Sequence, residues 1–254
     1  MSFRQGARQF FERRAAPTPS VPTARDYVQT GLIAMWDGIE NAGWNAHDQS
    51  ATIWKDLIGG NDLTVNENVV WNNDSTLQTT KNPTATRENA SVEWSFAEVV
   101  CDWSMVAGTS DNAVLFNSGS SRAATDIPFI YGNWADWYNS GRTKYFCRFL
   151  PNGRATKYAQ IESLVADSSA LMGTLAIDKT NQVVWRNSQR FAMVDTSQAI
   201  LYNTANVIYV GSNNAVGERA YKGKFFCIRL YSRILTDSEI YANYSIDKVR
   251  FNLP

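Results

Sequence analysis

The run Lys-Phe-Phe-Cys-Ile-Arg-Leu-Tyr at 224–231 constrains the fold of this chain more than any other stretch. A glycine-marked turn leads into it, and Phe226, Ile228 and Leu230 alternate onto one face, the period of a strand. Just beyond, Thr236 and Glu239 stand three apart, the reciprocal capping box that starts a helix. Ile240 and Tyr244, four apart, give that helix one apolar stripe. The spacing therefore predicts a closing strand followed at once by a short helix.

Composition agrees with a β fold around this closure. A length of 254 residues suits one large all-β domain with an appendage, and 44% hydrophobic residues are enough for a sizeable core. The charged fraction is a low 19%, Asn and Thr are plentiful, and long helical charge patterns are absent, which favours strands and turns. A formal net charge of zero argues against a uniformly basic nucleic-acid-binding domain. The charge is uneven, however. Residues 1–26 hold Arg4, Arg8, Arg13, Arg14 and Arg25 against Glu12 and Asp26, so the basic excess lies at the N-terminus.

Cys101, Cys147 and Cys227 are odd in number and cannot all pair with one another. Cys147 and Cys227 follow aromatics inside strand-like runs, so all three are read as reduced core thiols. No C-x-x-C spacing supports a cysteine zinc site. No span nears the roughly 20 apolar residues that cross a bilayer, and the N-terminus lacks the apolar core of an export signal. A route outward by cell lysis, within a phage particle, is then expected.

Residues 1–14 place Phe3, Phe10 and Phe11 among arginines, and residues 15–23 contain three prolines and read as an extended spacer. The expected division is a docking arm at 1–26 and a body at 27–254. The arm is either disordered or seated on a partner. In the body, strands are expected at 32–36, 53–57, 91–96, 103–107, 113–116, 144–149, 171–177, 182–187 and 206–210. That spacing suits two stacked antiparallel sheets.

Three motifs carry a family resemblance, in order along nearly the whole body. The first is the Gly-Leu-Ile-Ala-Met-Trp-Asp-Gly opening from Gly31, and the second is Trp-Lys-Asp-Leu-Ile-Gly-Gly-Asn-Asp from Trp54. The third is the strand-and-helix closure described above. Together they resemble the laminin-G-like, concanavalin A-like jelly-roll family found in phage and gut-bacterial surface proteins. The resemblance implies a two-sheet antiparallel jelly-roll sandwich with one short C-terminal helix and an extended N-terminal arm. Trp36, Trp54 and Phe226 then fall at core positions. Several members hold calcium at a loop edge, which makes Asp37, Asp48, Asp56 and Asp62 candidate ligands, although Asp in such contexts also caps turns.

Catalytic patterns are sparse. His47 is the single histidine and lies in a Gly-Trp-Asn-Ala-His-Asp loop, where it reads as a hydrogen-bonding residue. No nucleophile elbow or phosphate loop is present. Glycosidases need two facing carboxyls. Glu93 and Glu98, like Glu162 and Asp167, are five apart, which puts each pair on opposite faces of a regular strand. The chain is expected not to be an enzyme.

The best ligand-site candidate is residues 131–142, where Asn133, Trp134, Asp136, Trp137, Tyr138 and Arg142 crowd a Gly/Asn-bounded segment read as a loop. Their aromatic faces can stack on sugar rings, or can instead fold inward to plug the sandwich. The expected function is a non-catalytic structural or adhesive module of a phage virion, with surface glycans as candidate ligands. Its docking arm, through Phe3, Arg4, Arg8, Phe10, Phe11, Arg13 and Arg14, would seat in a capsid or tail protein. A homo-oligomer is compatible with this reading. A free carbohydrate-binding lectin is the second reading, and a glycoside hydrolase the third.

Overall fold

The computed structural model describes residues 20–78, 83–102, 113–118, 129–135, 143–148, 172–178, 181, 183–192, 205–212, 220–221 and 223–254. Among them the chain makes a 3-10 turn (Ala24–Asp26) and then β1 (Leu32–Asp37), β2 (Ile53–Trp54), β3 (Leu63–Val65), β4 (Val69–Trp71) and β5 (Thr76–Gln78). There follow β6 (Ala85–Val92), β7 (Phe96–Asp102), β8 (Ala113–Ser118), β9 (Phe129–Ala135) and β10 (Thr143–Arg148). The last strands are β11 (Met172–Asp178), β12 (Val183–Arg186), β13 (Gln189–Ala192), β14 (Ala205–Val210) and β15 (Lys224–Tyr231), before helix α1 (Asp237–Arg250).

The strands form an antiparallel two-sheet sandwich, as the sequence predicts. The first sheet runs β13-β12-β11-β7-β15-β5-β4, with β1 also paired to β15, and the second runs β10-β9-β8-β14-β6-β3-β2. The space between them is filled by alternating side chains such as Trp36, Trp54, Leu63, Val99, Phe116, Ile177, Ile208, Val210 and Ile228. The first sheet is buried on its other face too. There Met35, Phe96, Val100, Ala176, Trp185, Phe226 and Tyr231 pack with Ile240, Phe251 and Leu253 from the C-terminal segment.

The predicted closing strand is present over its full length, but its alternation breaks. The register slips between Phe225 and Cys227, which pair with Cys101 and Val100. This bulge puts Phe225 between the sheets with Ile228 and Leu230, while Phe226 and Cys227 both face the helix. Phe226 is core, with Trp36 and Trp54, but on the helix side. The strand predicted at 91–96 is instead two strands, β6 and β7, parted by a turn in which the Ser95 amide donates to the Tyr231 carbonyl. The run predicted at 103–107 lies outside the described residues. Cys101 and Cys227 are free and buried.

The helix starts at the predicted capping box: Glu239 N–H donates to Thr236 Oγ1, and Thr236 N–H donates to Glu239 Oε2 at 2.8 Å. Arg233 adds two charge-assisted bonds to the same carboxylate, at 2.9 and 2.6 Å. The predicted apolar pair packs inward, with Ile240 buried and Tyr244 half-buried against the same apolar cluster, and polar residues join it. Those polar residues are Asn243 and Asp247, both buried. No helix among the described residues is long and apolar enough to cross a membrane.

Upstream of β1, Thr23 and Asp26 form a second capping box. Ala24 and Tyr27 are buried with the helix-side cluster, so among the described residues packing begins at about Thr23. The residues named for the docking arm, Phe3 to Arg14, lie outside the described ones.

Two stability measurements check this anatomy. Deleting residues 1–22 changes the thermal midpoint by less than about 2 °C. Tyr27→Ala lowers it by roughly 6–12 °C, taking about 3 kcal/mol for a buried aromatic and about 2–4 °C per kcal/mol at this size. The second concerns pH. Its hydrogen bonds to Arg233, with those to Thr236, hold the Glu239 carboxyl at about 2 rather than 4.5. A depressed folded value stabilises above 4.5 and is lost as the pH falls towards 2. The stability gap between the native chain and Glu239→Gln therefore closes over that window in acid unfolding curves.

Candidate functional site

One arrangement divides the sandwich into two unlike faces. On the helix side, the alternation that buries Phe96 and Val100 also turns Glu98 of β7 towards α1, and likewise turns Arg229 of β15. Both are fully buried. Arg229 Nε donates to Glu98 Oε2 at 2.7 Å, and its Nη1 and Nη2 donate to Asp247 Oδ1 and Oδ2, each at 2.7 Å. The Tyr27 hydroxyl donates to Asp247 Oδ1 and the Thr174 hydroxyl to Asp247 Oδ2, each at 2.8 Å. Asn243 Nδ2 donates to Glu98 Oε2 and to the Tyr231 hydroxyl oxygen, and its Oδ1 accepts from the Val28 amide. The Arg229 guanidinium lies 4.0 Å over the Tyr27 ring.

The electrostatics follow from this closure. Burial pushes the Glu98 carboxyl up, with Arg229 pulling it back. Burial opposes the charged Arg229, but Asp247 and Glu98 together hold it well above its ordinary value. A second buried pair, Arg250 Nη2 to Asp37 Oδ2 at 2.8 Å, ties the last turn of the helix to the end of β1. None of these groups is accessible to a ligand. They close this face.

The outward face of the second sheet carries a different surface. Because Trp54, Val65, Ala85, Val210 and Phe116 point between the sheets, their neighbours Ile53, Thr64, Thr86, Tyr209 and Asn117 form one row across β2, β3, β6, β14 and β8. Glu88 sits two residues further along β6 and on the same face. Ile53, Thr64 and Glu88 are exposed, Thr86 is half-buried, and Tyr209 and Asn117 are buried. Burial and the nearby Glu88 carboxylate raise the Tyr209 hydroxyl above its ordinary value. Of this row, the Thr64 and Thr86 hydroxyls and the Glu88 carboxylate face solvent, with the buried Tyr209 and Asn117 beside them. Those hydroxyls and that carboxylate match the donors and acceptors of a polyhydroxylated ligand.

The predicted site residues scatter. Asn133 and Trp134 belong to β9, so that part of the candidate segment is a strand of the second sheet rather than a loop. Asp136, Trp137, Tyr138 and Arg142 lie outside the described residues, as do Glu162 and Asp167. The four aspartates hold nearby backbone, Asp37 in addition to its pair with Arg250. Asp37 accepts from the Ile39 and Glu40 amides, and Asp48 from the Ser50 amide and hydroxyl. Asp56 accepts from the amides of Met35, Ile58, Gly59 and Asn61, and Asp62 from the Asp56 amide and Lys55 Nζ. These are turn-capping uses. Among the described residues, no three His, Cys, Asp or Glu side chains gather as metal ligands would. His47 Nδ1 carries its proton towards the Gly38 carbonyl, 3.0 Å away, and its ring meets Trp71 edge-on.

No family model matches the sequence, and comparison with curated proteins finds no match. Solved structures do share the fold. Trypanosoma rangeli sialidase in complex with sialic acid matches with a TM-score of 0.55 at 15% identity, over 91% of this chain and 34% of that one. A second structure of Trypanosoma rangeli sialidase matches with a TM-score of 0.53 at 15% identity, over 90% and 34%. This chain thus spans about a third of the sialidase chains it matches. Domain 4 of AbnA, a GH43 extracellular arabinanase from Geobacillus stearothermophilus, in complex with arabinotriose, matches with a TM-score of 0.52 at 12% identity, over 84% of this chain and 98% of that one.

These matches correct the expectation that the chain is not an enzyme, because the sandwich recurs within sialidases and an arabinanase. At such identities they show the fold and transfer no reaction. The expectation rested on carboxylate spacing within single strands, which is the wrong test for a sandwich. Glu98 and Asp247 are 149 residues apart, yet both bond one guanidinium.

The helix-side cluster makes a direct prediction. Arg229→Met strands two buried carboxyls and costs about 3–5 kcal/mol in denaturant unfolding. Adding Glu98→Gln and Asp247→Asn recovers a large part of that loss.

Proposed function

We propose that this chain is a carbohydrate-recognition domain of laminin-G-like type that binds glycans on the outward face of its second sheet. The observation that carries this reading is the match to Domain 4 of AbnA, described in complex with arabinotriose, over nearly that whole domain. The two unlike faces add support. One sheet is sealed by α1 and its ion network, while the other presents Thr64, Thr86 and Glu88 towards solvent. Asn133 and Trp134 lie in a strand of that same sheet.

The finer reading is that the domain is displayed on a phage particle. The arm upstream of Thr23, with its arginines and phenylalanines, docks into a capsid or tail protein. The body faces outward, towards host-surface glycans.

A glycan array of the full chain, followed by calorimetric titration of the best ligands with and without calcium, tests the proposal. Arabinotriose and a sialylated trisaccharide serve as first probes. Glu88→Gln with Thr86→Val, and separately Trp134→Ala with Trp137→Ala, weaken binding at least about tenfold, or roughly 1.4 kcal/mol. Binding that survives both pairs overturns the location, and no binding across the array overturns the function. Product analysis on the same ligands records any turnover.

A further inference from the structure

The helix-side cluster holds two carboxyls and one guanidinium in full burial, so three ionised groups would leave an uncompensated negative charge away from water. Geometry decides which carboxyl gives way. Asp247 accepts four hydrogen bonds: two from Arg229, one from Tyr27 and one from Thr174. That environment suits an anion. Glu98 receives its two bonds, from Arg229 and Asn243, on Oε2 alone, and its Oε1 is buried without a partner.

We propose that Glu98 is a neutral carboxylic acid in the folded chain, and that its proton locks helix α1 onto the first sheet. The groups facing it are Arg229, Cys227 and Tyr231 from β15, Asp247 and Asn243 from α1, and Tyr27 from the N-terminal segment. Of these, only Arg229 is a cation, and it already serves Asp247. The remaining helix cation beside the cluster, Arg250, is committed to Asp37. Burial keeps Cys227, Tyr27 and Tyr231 neutral, so none relieves the charge. Ionising Glu98 therefore opposes the contact between α1 and β7, and Val28 and Tyr27, both bonded to α1, loosen with it.

The sign follows from linkage. A carboxyl whose folded value is raised stabilises fully below its unfolded value of 4.5, and that stability is lost as the pH rises through the folded value. Across this window one proton changes the folding equilibrium by about tenfold per pH unit.

Hydrogen–deuterium exchange of the full chain, corrected for intrinsic rates, is compared between about pH 5 and about pH 9. The expected result is that protection across Asp237–Arg250 falls with pH in the native chain. In Glu98→Gln, which keeps the acceptor for Arg229 and Asn243 but cannot ionise, protection is flat. Equal pH dependence in both overturns the proposal. If Glu98→Gln fails to fold, the infrared carbonyl band of the native chain at neutral pH decides. A band from a buried protonated carboxyl supports the lock, and its absence overturns it.

Discussion

Arg229 fastens three parts of this structure at one point: the first sheet, the C-terminal helix and the start of the packed body. It rises from the middle of β15, the strand that joins β7, β1 and β5, and its guanidinium spends three donors on two carboxyls from β7 and α1. Through Asp247 and Asn243 the same cluster reaches Tyr27 and Val28, so the first packed residues and the final helix are fastened at one place. A buried charge of this kind is costly unless every partner is present. Few arrangements of the helix satisfy it, so the cluster specifies where α1 sits. The apolar contacts of Ile240, Phe251 and Leu253 contribute area without selecting a register.

The consequence is an asymmetric sandwich. The first sheet is buried on both faces, which explains why β7, β11 and β15 read as nearly continuous apolar runs interrupted by single polar residues. The second sheet keeps threonine hydroxyls and a carboxylate towards solvent on its outward side. A recognition surface belongs on the face that packing leaves available.

Legibility from sequence followed the range of the interactions. The strand and helix at the C-terminus were readable because alternation and the capping box are local, and Thr236 with Glu239 behaves as its spacing dictates. The bulge at Phe226 was not readable, since it depends on pairing with Cys101 and Val100, far upstream. Arg229 did leave a signal: a cation flanked by Ile228 and Leu230 inside an apolar strand, followed by Asn243 and Asp247 at helical spacing from Ile240. Reading only Ile240 and Tyr244 as the inward stripe left the polar pair out. The row from Thr64 to Asn117 was illegible, because adjacent members come from β3, β6, β14 and β8, whose order in the sheet is not their order in the chain. The same non-local pairing defeated the spacing test for catalytic carboxyls.

The most direct measurement of the central claim, that the helix side is a sealed scaffold and the second sheet the recognition face, is a hydrogen–deuterium exchange footprint with a saturating bound oligosaccharide. The account predicts added protection in β3, β6 and β14 and none in α1. Protection confined to α1 and the N-terminal turn would contradict it.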